Sequence, residues 1–564
     1  MMKNVSMNLQ EVVSFSAVNR KEEIEALSNT YFDLLVIGGG ATGCGIALDA
    51  ASRGMSVALV EKRDFASGTS SKSTKLIHGG LRYLKQFDIP LVRETGTERA
   101  VVHKLAPHLV LPEKMLLPLI KGGTYGKWAT SFGLLVYDLL AGVERDDRRK
   151  MLSKKQALNL EPLLDEKKLK GGGFYAEYRT DDARLTIEMI KRAAQFGAKA
   201  LNYCEAVDFI YQEDQITGVQ CKDTHSGESF TVKAQKVVSA GGPWVDRVRK
   251  LNGSLSGKRL HLTKGVHIVV PKEKLPLQHS VYFDVPDGRM IFAIPRGKVT
   301  YIGTTDTTYK GRLDRIVVTK ADADYLLNAV NNAFPSIDLT IEDLISNWAG
   351  LRPLIHEDGK SPSELSRKDE IFLSPSGLIS IAGGKLTGYR KMAQRIVDLV
   401  SEQLSSVSDK SFGPCRTKEV HLTNKPFPSA KAVQHYVQKL EKEMSDRGLD
   451  SYYGWYLATV YGDQSQVILD KMSEFQSVDS GIALARAEAW FTTHHEMVNS
   501  ASDFFVRRTG RLYFDIGSIA AVRATIMQDL QDYLNWDADR RQKEEDILDM
   551  LLFDATHYYD EELS

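Results

Sequence analysis

The sequence is short of cysteine. Only Cys44, Cys204, Cys221 and Cys415 occur among 564 residues, widely separated and without a C-x-x-C pair. Zinc sites and disulfide frameworks both need clustered thiols, so neither is expected, and a reduced, cytoplasmic setting fits best. Cys44 reads as a small packing residue. Net charge is missing too: Lys+Arg and Asp+Glu stand at 73 each, so no global field draws nucleic acid or anionic lipid, and any attraction must come from local patches. Nucleic acid is therefore not an expected partner. No run of 18 apolar residues occurs and the first 30 residues carry no apolar signal core, so neither a spanning helix nor an export signal is expected. Metal ligands are equally sparse. His494-His495-Glu496 is the nearest grouping, and without further spaced ligands it reads as a satisfied helical surface, so no metal is expected.

What is present centres on residues 33–47, an apolar run that breaks into glycines and turns helical. Gly38, Gly40 and Gly43 have the G-x-G-x-x-G spacing, which gives a turn without side chains, backbone close to a pyrophosphate and tight packing of helix on strand. The helix N-terminus then offers free N–H groups and a positive dipole end to phosphates. Residues 56–60 form a second buried-type strand ending in Glu61, 18 residues past Gly43. That is near the roughly 20-residue spacing of a carboxylate that grips ribose hydroxyls, so the unit reads as a dinucleotide-binding βαβ.

At 564 residues the chain exceeds one core and calls for about three or four units. Residues 1–30 read as an arm, partly helical over 21–28, packed on the surface or frayed. Residues 67–83, rich in hydroxyls and glycine, suit a loop that wraps the rest of a long cofactor. Residues 111–169 carry leucines and aromatics, among them Trp128, Phe132, Leu135 and Leu140, at helix-like spacing between basic flanks. Two readings stay open there: an interfacial amphipathic helix facing a membrane, or a helix burying its stripe in its own domain. Residues 181–194 read as a helix and 236–239 as a buried strand that returns to the first sheet. Residues 256–349 are mostly β, interrupted by a helix over 321–334, as expected of a largely antiparallel substrate domain. Residues 378–387 repeat the opening logic of apolar strand, paired glycines and helix, so a single nucleotide fold is expected to be closed by its last strand after large insertions. Beyond a Ser/Gly/Pro-containing linker at 405–414 the chain turns helical, with helices over 430–443, 452–461, 481–492, 516–534 and 541–553, read as a separate all-α domain.

Several strings then point one way. Lys75-Leu76-Ile77-His78-Gly79-Gly80-Leu81-Arg82-Tyr83-Leu84, Ala240-Gly241-Gly242-Pro243-Trp244, Lys264-Gly265-Val266-His267, Gly303-Thr304-Thr305-Asp306, Gly350-Leu351-Arg352-Pro353 and Gly383-Gly384-Lys385-Leu386-Thr387, with the glycine motif, resemble the FAD-dependent glycerol-3-phosphate dehydrogenases over nearly the whole chain. The resemblance implies an α/β fold: a FAD-binding Rossmann-like domain (31–110, 170–255 and 350–405), an inserted mainly antiparallel β substrate domain (256–349) and an all-α C-terminal domain (415–564). It implies oxidation of glycerol 3-phosphate to dihydroxyacetone phosphate, with hydride passing to FAD and electrons to membrane quinone, on the inner face of the plasma membrane. Homodimerisation is left open. An oxygen-using oxidase and an NAD-dependent dehydrogenase are the alternatives; no extra segment of the oxygen-using kind is visible in the substrate domain. The long arm before Asp33 departs from the family pattern.

By the same resemblance, FAD is held by Gly38, Gly40, Gly43, Glu61, Thr69, Ser70, Ser71, His78, Gly79, Gly80, Leu81, Gly241, Gly384, Lys385, Leu386 and Thr387. Arg82 and Arg352 hold the substrate phosphate, Tyr83 and Thr304 line the pocket, and His267 and Lys385 flank the reacting carbon. The chemistry agrees: hydride leaves a carbon while its hydroxyl loses a proton, and a phosphate dianion suits arginine's planar fork. A histidine titrating near neutrality makes His267 the expected base, narrowly ahead of Lys385.

Overall fold

The computed structural model describes residues 15–78, 89–122, 149–356, 369–407, 409–475 and 479–563. Gly79, Gly80, Leu81, Arg82, Tyr83 and the 128–140 stretch lie outside the described residues. Two sheets carry the fold. The first runs in the order Asp369–Leu373, Leu378–Gly383, Ser229–Ser239, Tyr31–Ile37, Val57–Val60, Lys199–Leu201, with a hairpin of Cys204–Gln212 and Gln215–Asp223 extending from it. Its central strands are parallel, and Val36 pairs with both Leu59 and Val238. Strands covered on both faces must be apolar throughout, and Phe32 to Ile37 are all buried. The helices Ala41–Ser52, Asp182–Gln195 and Tyr389–Ser405 cover one face in a common core. Leu378–Gly383 pairs parallel to Ser229–Ser239 and so closes the nucleotide fold from the far end of the chain.

The second sheet has ten described strands, mostly antiparallel, and the chain visits it twice, over 76–179 and over 260–355. Three sequence boundaries change as a result. Leu111–Ile120 is a strand and not part of a helical segment, pairing with Leu169–Arg179 over its length. Its apolar run fits either period, but Pro118 would remove a hydrogen bond and clash inside a helix. In the strand, Pro118 lies beyond the two residues, Met115 and Leu116, that pair with Ser280–Asp284, so its missing N–H breaks no ladder on that side. Leu169–Arg179, assigned from sequence to the flavin domain, belongs to this second sheet, where bare Gly172 lets Leu116 approach; a Cβ there would sit 3.0 Å from its Cδ1. Ser346–Ile355 also belongs here, in register with Leu260–Pro271 along its whole length.

The arm is anchored where it is described. Phe15 is buried and stacks on Phe65, and Arg20 reaches Asp223. The C-terminal helices include Ala430–Asp446, Tyr452–Tyr461, Ser480–His495, Ile519–Leu534 and Ala538–Thr556, close to the expected spans. The helix Ser465–Met472, a π-helical turn, Asp503–Arg508, and the short helix Arg511–Phe514 escaped the sequence reading. This unit is not separate. Phe504, Tyr513 and Phe514 share a core with Tyr301 and Trp348 of the second sheet. Glu496, expected on a surface, is fully buried on Arg184 and Lys191.

Candidate active site

A cavity of about 720 Å³ opens between the two sheets, at the carboxyl ends of the parallel strands where their order switches direction around Tyr31–Ile37. That is where open α/β sheets bind ligands. One end is the glycine turn. Gly38 has φ +113°, and a Cβ there would meet the Ala240 oxygen at 2.6 Å. Gly43 stands outside the lining and serves packing instead, since its Cβ would fall 1.9 Å from the Gly38 oxygen. Gly40 lines the cavity at the N-terminus of Ala41–Ser52, and the nearest protein atom to an added Cβ is Ser70 Oγ at 3.3 Å. Ser70 Oγ also accepts the Ala41 N–H at 3.0 Å. The free space at Gly40 and the helix N-terminus behind it fit a pyrophosphate.

Glu61 lines the same end and is half-buried. Its carboxylate accepts the N–H of Gly39 at 2.7 Å and of Arg63 at 2.9 Å, leaving further lone pairs for ribose hydroxyls. Burial pushes its carboxyl up against these bonds. Thr69, His78, Gly241, Gly384, Lys385, Leu386 and Thr387 also line the cavity. Ser71 does not: its side chain is buried, and its carbonyl takes the Lys75 ammonium. Thr387 Oγ1 accepts the His78 N–H and donates to the His78 carbonyl, both at 3.2 Å, which fixes the early loop against the late strand.

At the substrate-sheet end stands Arg352. Its guanidinium donates to Thr304 Oγ1 at 2.8 Å, to the Thr305 carbonyl at 3.0 Å and to Asp306 at 3.2 Å. It lies flat over Gly265, where a Cβ would sit 2.3 Å from Nη2. Thr304 thus orients the arginine as well as lining the cavity.

His267 departs from expectation. It is buried behind the cavity wall, stacked on Trp348 at 4.7 Å, with Nε2 3.0 Å from Thr74 Oγ1 and its ring against Gly303. Thr74 lines the cavity and His267 does not. Burial, then Arg352 and Lys75, hold the imidazole well below its ordinary pKa, so it is neutral through the physiological range and does not titrate near neutrality. The sequence reading also missed cavity groups. Lys72 lines it, pushed down to about 8 by burial and then by Arg63 and Arg507. Asp287 and Arg289 reach it from the turn before Met290–Arg296. Pro286-Asp287-Gly288 is a legible turn signal, but nothing local says where the turn points.

The sheet order, glycine turn and acidic strand tip define a dinucleotide-binding fold. Comparison agrees, for residues 33–390 match the FAD dependent oxidoreductase model and 415–541 match the C-terminal domain of alpha-glycerophosphate oxidase. Proteins named aerobic glycerol-3-phosphate dehydrogenase, from Bacillus subtilis and Staphylococcus aureus, are each 48% identical, covering 96% and 97% of this chain and 98% of their own. The solved glycerol-3-phosphate dehydrogenase of Bacillus halodurans, complexed with FAD, superposes with TM-score 0.82 at 42% identity, over 96% of this chain and 99% of that one. The chain belongs to the aerobic glycerol-3-phosphate dehydrogenase family of FAD-dependent oxidoreductases.

Proposed function

We propose that this chain oxidises glycerol 3-phosphate to dihydroxyacetone phosphate and passes the electrons through FAD to membrane quinone. The observation that carries the reading is one cavity with a phosphate-accepting glycine turn at one end and the bracketed Arg352 at the other. The names of its relatives support substrate and cofactor. FAD, when bound, supplies the hydride acceptor. Arg352, oriented by Thr304 and Asp306, presents its planar fork to the substrate phosphate, with Arg82 as its expected second grip. The hydroxyl proton must pass to a basic group on the wall. His267 stands behind that wall, so Lys385 takes the role, two residues before the Thr387 hydroxyl that holds the His78 backbone. His267 acts through Thr74, fixing the wall that the substrate meets.

Quinone as acceptor, peripheral contact with the inner face of the plasma membrane and homodimerisation complete the reading. Among the described residues no helix is long and apolar enough to cross a membrane. The test is spectroscopic. Anaerobic glycerol 3-phosphate should bleach the flavin band of purified protein, and a soluble quinone should restore it faster than air. A band unmoved by glycerol 3-phosphate refutes the substrate, and faster return in air refutes the acceptor.

A further inference from the structure

We infer that the C-terminal helical unit is part of the cofactor-holding machinery: its adjacent arginines Arg507 and Arg508 seize Asp64, the middle of the loop that ties the glycine turn, so that FAD retention and docking of this unit are linked. The loop from Glu61 to Ala66 is bonded at both ends to one residue. Glu61 accepts the Gly39 N–H, and the Ala66 N–H donates to the Gly39 carbonyl at 2.9 Å. Between them Phe65 lies against Gly39, where a Cβ would meet its ring at 2.7 Å. Beyond Ala66 the chain runs straight into Thr69 and Ser70, which line the cavity. Whatever fixes the loop's middle therefore fixes the turn that receives the pyrophosphate.

That middle is Asp64, fully buried and facing away from the cavity into the helical unit. Arg508 grips it with two nitrogens, at 2.7 and 3.0 Å, and Arg507 Nε donates at 2.5 Å. Asn202 adds a donor at 3.0 Å. Burial alone would raise the Asp64 carboxyl, but the two guanidiniums outweigh it and hold it ionised. Arg508 is itself anchored on the Glu496 carbonyl and Arg507 on Asp503. The network balances: Asp64, Asp503, Glu496 and Glu188 face Arg507, Arg508, Arg184 and Lys191. Such a neutral buried network is stable only when complete, because removing one member strands the opposite charge. Independently, Arg507 and Asp554 are among the charges acting on the Lys72 ammonium at the cavity wall, so the field of the helical unit reaches the cofactor's space. Arg507 and Arg508 are thus positioning residues.

Linkage is reciprocal, so a unit that favours bound FAD must in turn be stabilised by it. The test is FAD titration of deflavinated full-length protein, with thermal unfolding in its absence and presence. Arg508→Lys keeps the charge and loses the fork. Its FAD dissociation constant should rise tenfold or more, and the increment in unfolding temperature that FAD produces should shrink. Arg486→Lys breaks the fork on Asp529 within the helical unit and should leave both readings at the wild-type value. Should Arg508→Lys not fold, Asn202→Ser removes one Asp64 donor and should weaken FAD in the same direction. An unchanged FAD dissociation constant in the folded variant, with apo and loaded protein losing the same unfolding temperature, would reduce the pair to a structural bridge and overturn the inference.

Discussion

Gly265→Ala tests the phosphate grip without touching a polar group. Gly265 has ordinary negative-φ or extended backbone, since it is absent from the positive-φ glycines, so alanine brings no backbone strain. Its Cβ would stand 2.3 Å from Arg352 Nη2 and 2.6 Å from Cζ, whereas ordinary contact begins at 3.4 Å. The clash falls on the far end of a flexible side chain, so the guanidinium moves by about 1 Å and the strand stays in place. A shift of that size takes the bonds to Thr304 and Asp306, now 2.8 and 3.2 Å, out of range or alignment. A charged hydrogen bond contributes about 1.5–3 kcal/mol, so kcat/KM for glycerol 3-phosphate should fall by about 10- to 150-fold. The assay is steady-state reduction of a soluble quinone, with the flavin-to-protein absorbance ratio as control. Glycerol, which lacks the phosphate, should be oxidised at whatever slow rate the parent protein shows. A fully flavinated Gly265→Ala protein with unaltered kcat/KM would refute the grip, as would equal losses on glycerol and glycerol 3-phosphate.

Gly40→Val should fold yet be colourless, because the nearest protein atom to its Cβ is Ser70 Oγ at 3.3 Å and the branches enter the phosphate space; full flavin absorbance would exclude that placement. His267→Gln should slow flavin reduction in stopped flow by less than about tenfold and leave its pH profile unchanged near neutrality, because the buried imidazole is already neutral there; loss of a step near pH 7 would restore the histidine as base. Asp463 is held near 6, against 3.8, by burial and then by Glu188. Its folded pKa is raised, so its favourable contribution is complete below the unfolded value and disappears as pH climbs through about 6. Asp463→Asn should therefore stabilise the protein by about 1–2 kcal/mol at pH 8, after discounting for partial exposure, and not at pH 4; equal effects at both pH values in chemical denaturation would contradict this.

The sequence discloses what is local. The βαβ unit, Glu61 and the closing strand 378–383 are each written in a few consecutive residues, because a phosphate turn needs glycine at fixed offsets and a doubly covered strand needs an unbroken apolar run. Sheet membership is not local. Leu169–Arg179 and Ser346–Ile355 read as ordinary strands, and only their partners Leu111–Ile120 and Leu260–Pro271, tens of residues away, decide which sheet they join. The same limit explains His267. A histidine in a strand looks like a base until Thr74, 193 positions earlier, is seen between it and the cavity.

One non-local feature does leave a trace in the sequence, in single glycines set inside strands. An isolated strand glycine weakens the strand by leaving nothing to pack, so its presence asks for something close above it. Gly265 interrupts one β-favouring run, Leu260–Pro271, and Gly303 ends another, Val299–Gly303. In the structure the plane of Arg352 lies on the first and the ring of His267 on the second, each too near for a methyl group. Two side-chain planes rest on bare backbone, and the glycines beneath them permit close approach there as Gly38 and Gly43 do in the first glycine turn. A glycine inside a strand, two residues from a histidine or beside a Thr-Thr-Asp string, therefore marks where a flat side chain lies against the sheet, although it cannot say which distant residue supplies that side chain.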